Sequence, residues 1–268
     1  MVGRELGTRR VKYDSDAAIL YALSVGAPPD DLQLVYERDL KVLPTFGLTL
    51  GLWTADAAGA AGAFLPQHAL HGAQDLVVAG ELPPAADFDV TGVIAAVYDT
   101  GRSALIDVVA EAEFFTATYS IILPGQGGFG GQKPTVAADV TGADAHRAES
   151  VQTTDVGQAA LYRLTGDHHA IHIDPVAARA AGFERPILHG LCTLGIAARQ
   201  VAHQVQTPPH TLSRLHARFA APVLPGQSLV TTTRYESGVA GSGIVADFSS
   251  EVAGVRVLGA GQASFATP

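Results

Sequence analysis

Two apolar periods alternate along the chain, and each half reads as a buried helix followed by strands. Residues 17–25 (AAILYALSV) have helical spacing, with Ser15 offering the N-cap, Asp16 in the first turn and Gly26-Ala-Pro-Pro29 as the stop. Residues 32–43 are mixed and predict a short strand. Residues 43–53 (LPTFGLTLGLW) are apolar all round, which suits a buried helix. The small residues at 55–64 predict a loop or lid. Strand-like alternation takes over from 68 to 122, where LHGAQDLVVAGELP, FDVTGVIAAVYD and SALIDVVAEAEF each end in turn residues and predict an antiparallel meander. A glycine-rich run (GQGGFGGQKP, 125–134) follows, and the polar stretch after it to Gln152 reads as a linker.

The second half repeats this order. LYALSVG at 20–26 resembles LYRLTGD at 161–167, an offset of 141. FGLTLG at 46–51 resembles HGLCTLG at 189–195, and His71 with Leu82-Pro83 is echoed by His216 with Leu224-Pro225. Matches in one order at nearly one offset point to an internal duplication. The expected architecture is α+β, with units at 1–132 and 153–268 joined by a linker at 133–152. At the 141 offset Asp167 falls on Gly26 and His172 on Asp31, so one active site per chain is expected, in the second half.

Composition narrows the partners. A hydrophobic content of 47% with 16% charged residues belongs to a globular chain, and a net charge of −9 disfavours nucleic acid or an anionic membrane as the main partner. No apolar run approaches the roughly 20 residues needed to cross a bilayer. A single cysteine, Cys192, fits a reducing compartment. MVGRELGTRRVKYDSD carries no apolar core after its basic residues, so no secretory signal is read and a cytoplasmic location is expected.

Titratable groups are densest in YRLTGDHHAIHIDPVAARAAGFERPILHGLCTLG, residues 162–195. Asp167 and His172, five apart, can converge on one water as a general acid/base pair. The alternative is a capping Asp and a satisfied core histidine. Asp174-Pro175 reads as the N-terminus of a helix over 176–181 that ends at Gly182. Gly190 opens the next helix, where a free N–H backed by the helix dipole has the layout of an oxyanion hole for a thioester carbonyl, or else simply permits close packing. His168, His169, His172 and Asp174 offer metal-type donors, but their spacing is not that of a zinc helix motif and no metal is expected. Cys192 lies in an apolar helix without a base and reads as inert. GGFGG lacks the ending of a phosphate loop.

Together, residues 162–195, LYALSVGA, VYERDLKVLPTF, LHGAQ, GGFGG and RFAAPVLPGQSL resemble the MaoC-like (R)-specific enoyl-CoA hydratases, the hydratase 2 family, in their double hot-dog form. The resemblance covers nearly the whole chain. It implies two tandem hot-dog folds and cofactor-free syn-addition of water to a trans-2-enoyl-CoA, giving the (R)-3-hydroxyacyl-CoA. It places Asp167 and His172 on the water and the α-carbon proton, and Gly190 N–H on the thioester oxygen. His169, His189, Gly128, Phe129 and Gly130 become substrate contacts, an acyl-CoA thioester the partner and a homodimer the assembly. Two positions depart from the family pattern: His169-Ala170 replaces Asn-Pro, and Pro124 replaces an Arg before the glycine-rich loop. Other thioester chemistry on the same fold (a dehydratase or a thioesterase) and a catalytically impaired acyl-CoA-binding subunit are the rival readings.

Overall fold

Ten strands carry the alternating sequence in the computed structural model, which describes residues 1–135, 142, 145–236 and 243–267. The first half supplies β1 (Arg4–Tyr13), β2 (Leu70–Val78), β3 (Ala86–Asp99), β4 (Ser103–Ala112) and β5 (Phe115–Pro124). The second supplies β6 (His146–Thr153), β7 (Leu212–Phe219), β8 (Ser228–Tyr235), β9 (Ile244–Val252) and β10 (Val255–Phe265). They form one antiparallel sheet in the order β1-β3-β4-β5-β2-β7-β10-β9-β8-β6. Both halves wind alike. The first strand pairs with the third, the third with the fourth, the fourth with the fifth, and the second lies beyond the fifth at the seam. The expected duplication is therefore present in the topology, and β2 and β7 join the halves with Asp75 opposite His216.

The helices are α1 (Ser15–Ser24), α2 (Leu32–Val35), α3 (Gly47–Leu50), α4 (Trp53–Ala60), α5 (Gln158–Tyr162), α6 (Pro175–Ala180) and α7 (Gly190–Gln204). Residues 191–198 of α7 are buried without a gap, because the second half-sheet lies on one side of the helix and Tyr21, Ser24 and Val25 of the first half pack against another. Each Leu or Ile buried there contributes about 1.5–3 kcal/mol. On the sheet, β5 alternates fully buried Phe115, Ala117 and Tyr119 with half-buried polar residues, the pattern of a strand with one face on a core. The α+β class expected from the sequence is the one observed.

Several local expectations are corrected. The cap of α1 is Asp14, whose carboxylate accepts from Ala17 N at 3.1 Å, rather than Ser15. Residues 32–43 hold the helical turn α2 and coil rather than a strand. The buried helix expected at 43–53 is interrupted: a 3-10 turn at Pro44–Phe46 and α3 end at Gly51, and α4 takes up the residues expected as a loop. Alanine is the best helix former, so the small residues at 55–60 favour α4. A Cβ at Gly51 would stand 2.8 Å from both Ala110 Cβ and Tyr119 Oη, so the chain crosses the sheet too closely there for any other residue. The meander is β3-β4-β5 alone, with β2 carried across to the far side of β5. The expected linker at 133–152 lies partly outside the described residues, and its last part is β6, an edge strand paired only with β8. Its polar sequence reflects solvent on its outer edge.

Candidate active site

The candidate stretch leaves α5 through a turn that depends on its glycine. Thr165 Oγ1 donates to the Tyr162 carbonyl at 2.8 Å, and Gly166 follows at φ +135°, a conformation open to glycine. That turn delivers Asp167, half-buried, with Oδ1 accepting the His169 amide at 3.1 Å. A 3-10 turn at Ala170–His172 then points His172 inward. Asp174 caps α6 by accepting from Val176 N at 2.7 Å, the structural role expected of it.

Asp167 and His172 do converge, and a third residue joins them. Donor atoms of Asp167, His172 and His189 all lie within 4.8 Å of one another. His189 precedes α7; its ring stacks on His172 at 3.8 Å between centroids and packs against Tyr162 at 4.8 Å. Both histidines sit opposite backbone carbonyls, which only accept, and this fixes their neutral tautomers. His172 Nδ1–H donates to the Ile187 carbonyl at 2.9 Å, leaving the lone pair on Nε2. His189 Nε2–H donates to the Asp167 carbonyl at 3.2 Å, leaving Nδ1 buried and unpartnered. Burial lowers the pKa of both rings. For His172 the Asp167 carboxylate and the Ile187 carbonyl oppose that drop; for His189 the neighbouring His172 deepens it, to about 3. His172 is thus held neutral with Nε2 ready to accept a proton.

Gly190 is the first residue of α7, and its leading amides have no intrahelical acceptors. A Cβ at Gly190 would lie 3.1 Å from the Phe219 ring, so glycine permits the close packing of the helix start against that ring, the alternative reading of this residue.

His169 and His168 are exposed. The His169 ring stands 6.0 Å from His172, edge to face, at the rim of the cluster. The metal-type set weighed from the sequence does not form: Asp174 caps α6, His168 points to solvent, and the convergent trio brings in His189 instead. His189, expected to touch substrate, is fully buried, with its Nε2 on the Asp167 carbonyl and its ring stacked on His172. Cys192 is buried, donates to the Ser24 carbonyl at 3.3 Å, and has its thiol pKa raised by burial.

The glycine-rich loop is tied to the end of β3. Gly101, Gly128 and Gly130 N–H donate to the Asp99 carboxylate at 2.7, 2.8 and 2.7 Å. Those amides hold the carboxylate's pKa down, the Gly128 bond foremost. Gly128 and Gly130 thus fold the loop back onto Asp99, and Phe129 is exposed.

Two residues of the first half reach the site without a sequence signal that assigns them to it. His71, on β2, sits between Phe219 (4.6 Å) and Tyr119 (5.9 Å), with Nε2 buried and unpartnered. Asp56, on α4, has its carboxyl pKa raised by loss of solvent and by the Asp167 carboxylate, against His169 and Arg9. The repeat marker at His71 was the sole hint of either.

Residues 137–250 match the MaoC like domain family, and residues 11–120 match the MFE-2 hydratase 2 N-terminal domain family. The chain is 36% identical over 256 residues to 3-hydroxyacyl-thioester dehydratase Y of Mycobacterium tuberculosis, covering 88% of this chain and 85% of that protein. It is 39% identical over 250 residues to the peroxisomal multifunctional enzyme type 2 of Mus musculus, covering 86% of this chain and 34% of the mouse protein, so it spans about a third of that relative. Among solved structures, a MaoC-like dehydratase from Phytophthora capsici superposes with a TM-score of 0.85 at 24% identity, covering 99% of this chain and 96% of the other. A Mycobacterium tuberculosis protein described as having a double hotdog fold superposes with a TM-score of 0.69 at 14% identity, covering 100% and 97%. The fold is the double hot dog.

Proposed function

Because the chain belongs to the MaoC-like, hydratase 2 family, we propose that it is an (R)-specific enoyl-CoA hydratase. The observation that carries this reading is the Asp167–His172 pair beside the N-terminus of α7. A trans-2-enoyl thioester places its carbonyl oxygen on Gly190 N–H, where helix-terminal amides stabilise the enolate charge that develops as C3 is attacked. Asp167 and His172 hold a water at C3. His172 Nε2, bare in the tautomer described, takes the water's proton, and the pair returns one proton to C2. One water is consumed and no cofactor takes part. The reverse reaction is a dehydration of the (R)-3-hydroxyacyl thioester.

Asp167 and His172 are the catalytic residues in this proposal, Gly190 the oxyanion donor and His189 a positioning residue. The catalytic unit of this proposal takes in β6 and so starts near His146. Cytoplasmic residence and a homodimer of double hot-dog chains belong to the same proposal. Among the described residues no helix is long and apolar enough to cross a membrane.

The test follows loss of enoyl absorbance from crotonyl-CoA, with product chirality read by coupled (R)- and (S)-specific dehydrogenases. Turnover to the (R)-product is expected. Release of free CoA without hydration would make the protein a thioesterase, and binding without turnover an acyl-CoA-binding subunit.

A further inference from the structure

A tetra-anionic CoA must find local cations on a chain whose net charge is −9. The glycine-rich loop has spent its amides on Asp99. Arg10 is held by Asp87 at 2.6 Å and Asp89 at 3.4 Å, and Arg4 donates to the Ala61 carbonyl at 2.7 Å, closing the C-terminus of α4. Arg9 forms no ion pair among the described residues. It leans over the Trp53 ring, 5.6 Å from its centroid, along a cleft of about 620 Å³ between β1 and α4.

Three further features of this cleft match a thioester's pantetheine and nucleotide end. Trp53 Nε1 is buried and meets no acceptor among the described residues, a donor whose desolvation is uncompensated. The strand β1 pairs only with β3, so its outer edge leaves backbone N–H and C=O groups for an extended amide chain. Ala57 and Ala60 keep the floor low. Asp56 lines the same cleft one helical turn beyond Trp53, and its carboxyl feels the charges of Asp167 and His169, which puts this end of the cleft on the side of the proposed catalytic pair.

We propose that this cleft holds the pantetheine and phosphate end of the acyl-CoA, with Arg9 on a phosphate and Trp53 N–H on a pantetheine amide carbonyl. This rests on the hydratase reading for the identity of the thioester. Arg9 is a specificity-determining residue: it distinguishes CoA esters from shorter thioesters that lack phosphates.

Trp53 is the chain's single tryptophan, so its emission reports the cleft directly. Addition of CoA to the full-length wild type is expected to quench that emission, and Arg9→Gln to weaken CoA binding about tenfold, the loss of one charge-assisted contact. The same variant should lower the ratio of kcat/KM for crotonyl-CoA over crotonyl-pantetheine by a similar factor. Trp53→Phe, followed by calorimetry, should weaken CoA binding several-fold. Calorimetric binding of CoA without quenching, or an Arg9→Gln protein of wild-type melting temperature that binds CoA as wild type, overturns the proposal. If CoA binds through Arg9 but crotonyl-CoA is not hydrated, the cleft assignment stands and the hydratase reading falls. If crotonyl-CoA is hydrated and Arg9→Gln changes neither binding nor the ratio, the reverse holds.

Discussion

Replacing His71 by Phe should make the protein more resistant to acid. The His71 ring is packed between Phe219 and Tyr119, its Nε2 has no partner, and burial pushes its pKa down to about 4 in spite of Gln74, Ala73 and the Asp167 carboxylate. In the unfolded chain the same imidazole titrates near about 6.5. Between those two values the unfolded state binds the extra proton, so stability falls as pH drops through about 6.5 and goes on falling until about 4. From neutrality to about pH 5 the span is about 1.5 units at about 1.4 kcal/mol each, or ~2 kcal/mol lost from this one group. Phenylalanine keeps the ring contacts, removes the titration, and removes an unsatisfied nitrogen whose desolvation costs about 1–3 kcal/mol. Urea unfolding followed by Trp53 emission at about pH 7.5 and about pH 5 should show His71→Phe at least as stable as wild type at the higher pH. Its advantage should be about 2 kcal/mol larger at the lower pH. An equal difference at both pH values would refute the reasoning, because it would mean that the ring titrates alike in both states.

Asp167→Asn should lower kcat for crotonyl-CoA by about 10²–10⁴, the range of a general acid/base contribution, with far-UV circular dichroism unchanged. Gly190→Ala places a methyl 3.1 Å from the Phe219 ring and should cost about tenfold in kcat/KM through displacement of the amide, measured on crotonyl-CoA against a wild-type melting curve. Asp99→Ala leaves the Gly101, Gly128 and Gly130 amides without their acceptor and should lower the melting temperature while leaving the KM for crotonyl-CoA within twofold. A large rise in that KM would return the glycine-rich loop to the substrate site.

Much of the second half was legible because its signals are local. The helix α7 follows from an unbroken apolar run, α6 from Asp174-Pro175, and the Asp167–His172 pair from the density of titratable groups around it. What escaped depends on residues far apart in the chain. The break before α4 needs Gly51 against Ala110 and Tyr119, and the polar RELGTRRVKY becomes β1 only because β3 offers it a partner. The place of β2 at the seam is a choice of pairing that no strand pattern encodes. The bond of His189 to the Asp167 carbonyl has no local signal, because it exists only once α5 and α7 are packed together.

The duplication explains why one half does the chemistry. Tyr21 and Tyr162 are 141 residues apart, as are Ser24 and Thr165, and in each half the hydroxyl of Ser24 or Thr165 donates back to the tyrosine carbonyl at 2.7 or 2.8 Å. Each tyrosine packs on the ring that precedes a helix-opening glycine: Tyr21 on Phe46 at 5.0 Å before Gly47, and Tyr162 on His189 at 4.8 Å before Gly190. The scaffold thus repeats the hydroxyl-to-carbonyl bond, the ring pair and the helix start, while the turn itself differs, with Val25 at φ −103° where Gly166 takes φ +135°. Phe46 and Gly26 stand where His189 and Asp167 stand, so the first copy keeps the packing and lacks the acid/base groups. Freed from holding a catalytic pair, its helix is broken at Gly51, and α4 turns Asp56 toward the other copy's site while Trp53 faces β1. On the proposed hydratase and cleft readings both copies serve one reaction, the second holding the water and the first lining the substrate.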